Sequence, residues 1–178
     1  MYGDTTHCRQ AGFSLIEILV TMVVLSIGLL GVAGMQASGL RNNHAAYTKT
    51  QATNLAMDMA ERIRANPKGR ANYAGFDTSG TIPADPACIS NDNGCSADEL
   101  ADYDMFEWSI PILGKNTDVT QTTKPVLPDG QGLITQNGDE FTITIVWREI
   151  AYEGMIRNNC GIVGLAADKT CFQMSFQP

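Results

Sequence analysis

From Ile18 to Leu40 the chain runs 23 residues without a charged side chain, and one carboxylate, Glu17, stands at the entrance of that run. As a helix, such a run rises about 35 Å, enough to cross a bilayer core of about 30 Å. It is too long for an ordinary secretory signal, whose apolar core is about 7–15 residues. The run therefore predicts a membrane anchor and argues against a wholly soluble globular chain. The positive-inside rule does not orient it, because Arg9 precedes the run while Arg41 and Lys49 follow it. Glu17 needs a separate account. A carboxylate at mid-bilayer costs about 2.5–3.5 kcal/mol, and less near an interface, so it either snorkels or is retained for a partner.

Charge divides the rest of the chain. Residues 41–70 carry a net charge of +4 and residues 71–178 a net charge of −10, within a total of −7 over 178 residues. The acidic C-terminal part makes a poor general nucleic-acid binder, since phosphate repulsion is long-ranged. Arg62, Arg64, Lys68 and Arg70 form the one candidate basic patch. Cys8 precedes the apolar run, whereas Cys88, Cys95, Cys160 and Cys171 follow it. Four cysteines in a loop-rich body read as two disulfides in an oxidising compartment. Local pairing, Cys88 with Cys95 and Cys160 with Cys171, is the simplest of three connectivities. The CxxC spacing of a zinc site is absent, and no metal or cofactor is expected.

The order Gly12-Phe13-Ser14-Leu15-Ile16-Glu17 resembles the processing site of type IV prepilins. The resemblance implies that residues 1–12 are a leader removed between Gly12 and Phe13 by a prepilin peptidase, and that Phe13 is then N-methylated. The apolar helix is kept after the cut. It also implies a partner for Glu17: the new α-amino group of a neighbouring subunit, which sets the register of assembly.

Nothing breaks the helical pattern from Phe13 to Asn66, where Pro67 and Gly69 stop it. Residues 13–40 are the expected membrane and filament-core half, and residues 41–66 the amphipathic half. In the latter, Ala52, Leu55, Ala56, Met59 and Ile63 recur at three- and four-residue steps and are expected to pack on a sheet. Asn43-His44, Tyr47 and the ending Arg62-Ile63-Arg64-Ala65-Asn66 are similar to the PilV group of minor pilins. That resemblance implies a role in priming pilus assembly, in adhesion and in motility. Its implied partners are other pilins, the peptidase, the inner-membrane assembly machinery and, before assembly, lipid. The head would lie in the periplasm first and on the surface pilus afterwards. Type II secretion pseudopilins share the processing motif and are the alternative, as is a ligand- or DNA-binding pilin at the tip.

Residues 67–178 read as a disulfide-stapled head. Alternating apolar residues predict strands around Phe106–Ile112, Phe141–Trp147 and Phe172–Phe176, with a hairpin signalled by Asn137-Gly138. Residues 67–104 are expected to be a long connection. The fold class is therefore α+β, a long helix on an antiparallel sheet of about four strands, and the resemblance implies that this is a type IV pilin fold. No catalytic constellation is legible. Gly130-x-Gly132 lacks the third glycine of a dinucleotide loop, and Gly94 does not align with a calcium-loop pattern.

Overall fold

The computed structural model describes residues 12–90, 92–114, 124–149 and 160–178. Apart from Gly12, the expected leader lies outside the described residues. The elements are α1 (Leu15–Ala65), a short 3-10 helix (Arg70–Tyr73), α2 (Ala97–Leu113), and the strands β1 (Gln131–Asn137), β2 (Glu140–Arg148) and β3 (Lys169–Phe176). The chain divides into two units, Met1–His44 and Ala45–Pro178.

In the first unit, every described residue from Gly12 to His44 is exposed. From Leu15 onward this is helix, and it has no polar face broad enough to be the water side of an amphipathic element. Its hydroxyls are satisfied locally: Thr21 Oγ1 donates to the Ile18 carbonyl at 2.8 Å and Ser26 Oγ to the Met22 carbonyl at 2.7 Å. Such back-bonding lets a hydroxyl sit in apolar surroundings without an outside partner.

The second unit holds the core. Ala52, Leu55, Ala56, Met59 and Ile63 of α1 are buried in one cluster with Ile134, Phe141, Ile143, Ile145 and Trp147. The apolar stripe of α1 thus packs with one face of an antiparallel sheet in the order β1-β2-β3. The register places Ile134 opposite Ile143 and Phe141 opposite Phe176, so these side chains share that face. This long helix packed with a small antiparallel sheet is the type IV pilin fold expected from the resemblance. The outer edge of β1 is covered by the segment after the 3-10 helix. Ile134 N donates to the Phe76 carbonyl at 2.8 Å, and Thr78 N to the Gly132 carbonyl at 3.0 Å. That contact removes one of the two free edges a three-stranded sheet would present.

Three expectations change. The strand expected at Phe106–Ile112 lies within α2, so the described residues contain three strands and not four. The alternation of Phe106, Trp108, Ile110 and Ile112 overlaps a helical recurrence, Ala101, Met105, Trp108 and Ile112, whose four members are all buried. Local signals enforce the helix. Ser96 and Glu99 form a reciprocal capping box, and Gly114 closes the end in the left-handed region at φ 66°. Pro111 is tolerated because the helix ends two residues later. The long connection expected over residues 67–104 accordingly contains the 3-10 helix and the first half of α2. The hairpin forms, but its loop is Gly138-Asp139, since Asn137 pairs with Glu140.

The Gly130-x-Gly132 pattern has a packing explanation. A Cβ on Gly132 would come within 2.4 Å of Cη2 of the buried Trp108, and one on Gly130 within 2.9 Å of the Ile112 carbonyl oxygen. These glycines let α2 lie close against β1. Trp108 is fixed in turn by its indole N–H, which donates to the Leu55 carbonyl of α1 at 2.8 Å. Gly132→Ala therefore forces a rigid ring to move and should cost about 2 kcal/mol. The expected result is a lower urea midpoint with an unchanged slope, and an unchanged midpoint would contradict the packing argument.

Candidate functional site

Two groups of residues carry the features singled out in the sequence, one in each unit. The first surrounds Phe13 and Glu17. Gly12, Phe13 and Ser14 precede the helix in non-helical backbone. Phe13 is 81% exposed, and a Cβ added to Gly12 would meet nothing within 4 Å. The bond between Gly12 and Phe13 therefore lies in open backbone just ahead of the first helical turn. That turn starts with the Ser14 carbonyl, which accepts from Glu17 N at 3.1 Å and Ile18 N at 3.3 Å. Glu17 sits in the first turn, where a carboxylate is favoured by the helix dipole. Among the described residues its side chain has no hydrogen-bond or ion-pair partner.

The second group is built where the end of α1 meets the 3-10 helix and α2. Arg62 Nη1 donates to Asp104 Oδ1 at 2.9 Å, and Tyr73 Oη donates to Asp104 Oδ2 at 2.6 Å. Asn66 Nδ2 donates both to Tyr73 Oη at 3.2 Å and to the Ala97 carbonyl at 2.7 Å. The Asn66 side-chain oxygen accepts from Gly69 N at 3.1 Å, and Arg62 Nε donates to Asp58 at 3.0 Å. Both oxygens of the buried Asp104 carboxylate are thus used. Burial alone would lower the Arg62 pKa, but the bonds to Asp104 and Asp58 outweigh it and hold the guanidinium above its ordinary value. Burial and the Asp104 carboxylate push the Tyr73 hydroxyl well above the usual tyrosine range, so it stays a donor at physiological pH. The arrangement fixes three elements; it presents no nucleophile beside a base.

This geometry redistributes the candidate basic patch. Arg62 is taken up by Asp58 and Asp104. Arg64 pairs with Glu61 at 2.6 Å, and its guanidinium carbon lies 4.7 Å from the centre of the Phe176 ring. Lys68 is exposed, and Arg70 lines a cleft at the far end of the sheet. The four cations do not act together. Asp104, Tyr73 and Asn66 were not singled out as a group in the sequence. The capping box Ser96-x-x-Glu99 is the signal that would have placed Asp104 on a helix.

The four cysteines beyond the apolar run pair locally in the structure, Cys88 with Cys95 and Cys160 with Cys171. Among the described residues no cluster of three or more histidine, cysteine, aspartate or glutamate side chains could hold a metal.

Comparison with known families now bears on both groups. Residues 7–33 match the prokaryotic N-terminal methylation motif, and residues 34–106 match a family described as type IV pilin Tt1218, or Tt1218-like. This is a type IV pilin signature. The first match contains Gly12, Phe13 and Glu17, and the pilin match contains Arg62, Asn66, Tyr73 and Asp104 but none of the sheet. No curated protein and no solved structure gives a significant match. Pilins are in general structural and not enzymatic.

Asp104→Ala would leave the Arg62 guanidinium and the Tyr73 hydroxyl without their shared acceptor. Full burial would make that loss severe, but Arg62 keeps 29% side-chain exposure, so about 2 kcal/mol is expected. Tyr73→Phe removes one donor and should cost about 1 kcal/mol. Equal urea midpoints for wild type and Asp104→Ala would show that the junction does not depend on this carboxylate.

Proposed function

We propose that this chain is a minor pilin of the PilV-like kind, inserted by its N-terminal helix into a type IV pilus or its initiating complex. Its role is to support pilus assembly, adhesion and motility. The observation that carries the reading is the stretch from Phe13 to Leu40. Sixteen large apolar side chains there are exposed, and the sole carboxylate, Glu17, has no partner among the described residues. At about 1.5–3 kcal/mol for each side chain, leaving them in water would cost more than the net stability of a whole domain. A bilayer covers this surface first, and the helices of other pilins cover it afterwards.

Processing fits the same surface. The Gly12–Phe13 bond stands in open backbone, so the glycine answers to the peptidase and not to packing within the chain. Cleavage there creates an α-amino group on Phe13 four residues from Glu17. In an assembling filament, Glu17 of the incoming subunit pairs with that group on its neighbour. Each charge alone is costly in an apolar medium, whereas the pair is acceptable at one axial register only. The chain would sit in the inner membrane with its head in the periplasm, then on the surface in the pilus. The two disulfides suit that oxidising route.

Glu17→Val tests the pairing. The variant should insert into the membrane and be processed at wild-type levels, yet be depleted about tenfold or more from sheared pili, as quantitative immunoblotting of both fractions would show. Wild-type incorporation would remove Glu17 from this role.

A further inference from the structure

The dipeptide Asn-Gly occurs twice in the chain, at Asn93-Gly94 and at Asn137-Gly138. It is a reactive context for asparagine, because a following glycine has no side chain to hinder attack by its own backbone nitrogen. That nitrogen bonds to the asparagine Cγ, and the attack needs rotation about the asparagine Cα–C bond until the two face each other. The two copies stand in opposite settings. Asn137 ends β1 and pairs with Glu140 across the hairpin, so rotation there has to open that end of the ladder. Asn93 lies in an exposed turn, inside the loop closed by Cys88 and Cys95. Gly94 is exposed too, takes φ 66°, and a Cβ added to it would meet nothing within 4 Å. Among the described residues, neither the Asn93 side chain nor the Gly94 N–H has a hydrogen-bond partner that would have to be given up first.

We propose that Asn93 is a self-modifying site that deamidates through Gly94, with water as the only co-reactant. The Gly94 nitrogen gives its proton to solvent and bonds to Asn93 Cγ. The Cγ–Nδ2 bond breaks, Nδ2 takes a proton from water and leaves as ammonia, and a five-membered succinimide remains. One water then opens that ring, and no atom is oxidised or reduced. Breaking the bond from the Gly94 nitrogen to Cγ gives aspartate. Breaking its bond to the main-chain carbonyl carbon gives isoaspartate, whose backbone runs through Cβ and Cγ. Either product puts a new carboxylate in the loop. Residues 71–114 already carry eight carboxylates and no lysine or arginine, so conversion deepens a segment of one sign as the subunit ages. Residue 93 precedes the Ser96 cap of α2 by three positions, so the helix keeps its capping box. The site does not depend on the filament role of the N-terminal helix.

The test incubates the full chain in detergent micelles, with both disulfides intact, at mildly acidic and mildly alkaline pH. Peptide mass spectrometry then follows the two Asn-Gly sites over time. The Asn93 peptide should gain the mass difference between an amide and an acid, about tenfold or more faster than the Asn137 peptide. Its rate should rise with pH, since the attacking nitrogen must lose a proton, and fragmentation should find isoaspartate beside aspartate. In the reduced chain unfolded in urea the two sites should react at comparable rates, because only the fold separates them. Asn93→Gln should abolish the mass gain at that peptide with an unchanged unfolding midpoint, since the longer side chain closes a less favourable ring. The proposal is overturned if the Asn93 peptide gains no mass, if Asn137 reacts as fast in the folded chain, if the gap between the sites persists in urea, or if aspartate forms without isoaspartate.

Discussion

An apolar helix whose side chains stand exposed among the described residues dictates the rest of this molecule. From Phe13 to Leu40 the side chains that elsewhere would make a core point outward in every direction. No rearrangement of the second unit is needed to explain this, because that unit already has a closed core of its own. The surface must therefore be buried against something else, and its length suits a bilayer or a bundle of like helices. Glycines at 28, 31 and 34 are consistent with the second environment. A Cβ at any of them would meet nothing within 4 Å among the described residues, which leaves room there for close approach of another helix.

The second unit solves the opposite problem, that of fixing a helix to a body. Apolar packing of Ala52, Leu55, Ala56, Met59 and Ile63 supplies burial, but apolar contact is non-directional and alone sets position poorly. Directional bonds supply it: the Trp108 indole on the Leu55 carbonyl, and the chain of contacts from Arg62 through Asp104 and Tyr73 to Asn66. These bonds hold α1, the 3-10 helix and α2 in one arrangement. Buried polar networks of this kind pay off only when every member is satisfied, and both oxygens of Asp104 are.

Much of this was legible in the residues, for reasons that differ by element. The stem was plain because an uncharged run of 23 residues has few structural readings. The amphipathic half of α1 and the strands at β2 and β3 were plain because their apolar residues recur with a clear period, although β2 also buries Thr144 and Val146 on its other face. Helix α2 was not, because Trp108 and Ile112 belong both to the two-residue alternation that starts at Phe106 and to the helical recurrence that starts at Ala101. Only the capping box at Ser96 and the glycine at 114 separate the two. The Asp104 network was illegible for another reason. Its members lie 31 and 42 residues apart in sequence, and no local pattern links them. The charge of Arg70 is legible in the sequence, but its neighbours in space come from the hairpin and from the end of β3.

On the proposed reading the apolar helix is retained and its first residue becomes a charged end beside Glu17. Intact-mass and N-terminal peptide mass spectrometry of the chain from cells with an active prepilin peptidase tests this directly. The expected result is a mature chain that begins at Phe13 and carries one methyl group on its α-nitrogen. A chain that keeps residues 1–12, or one cut after the apolar run, would contradict it.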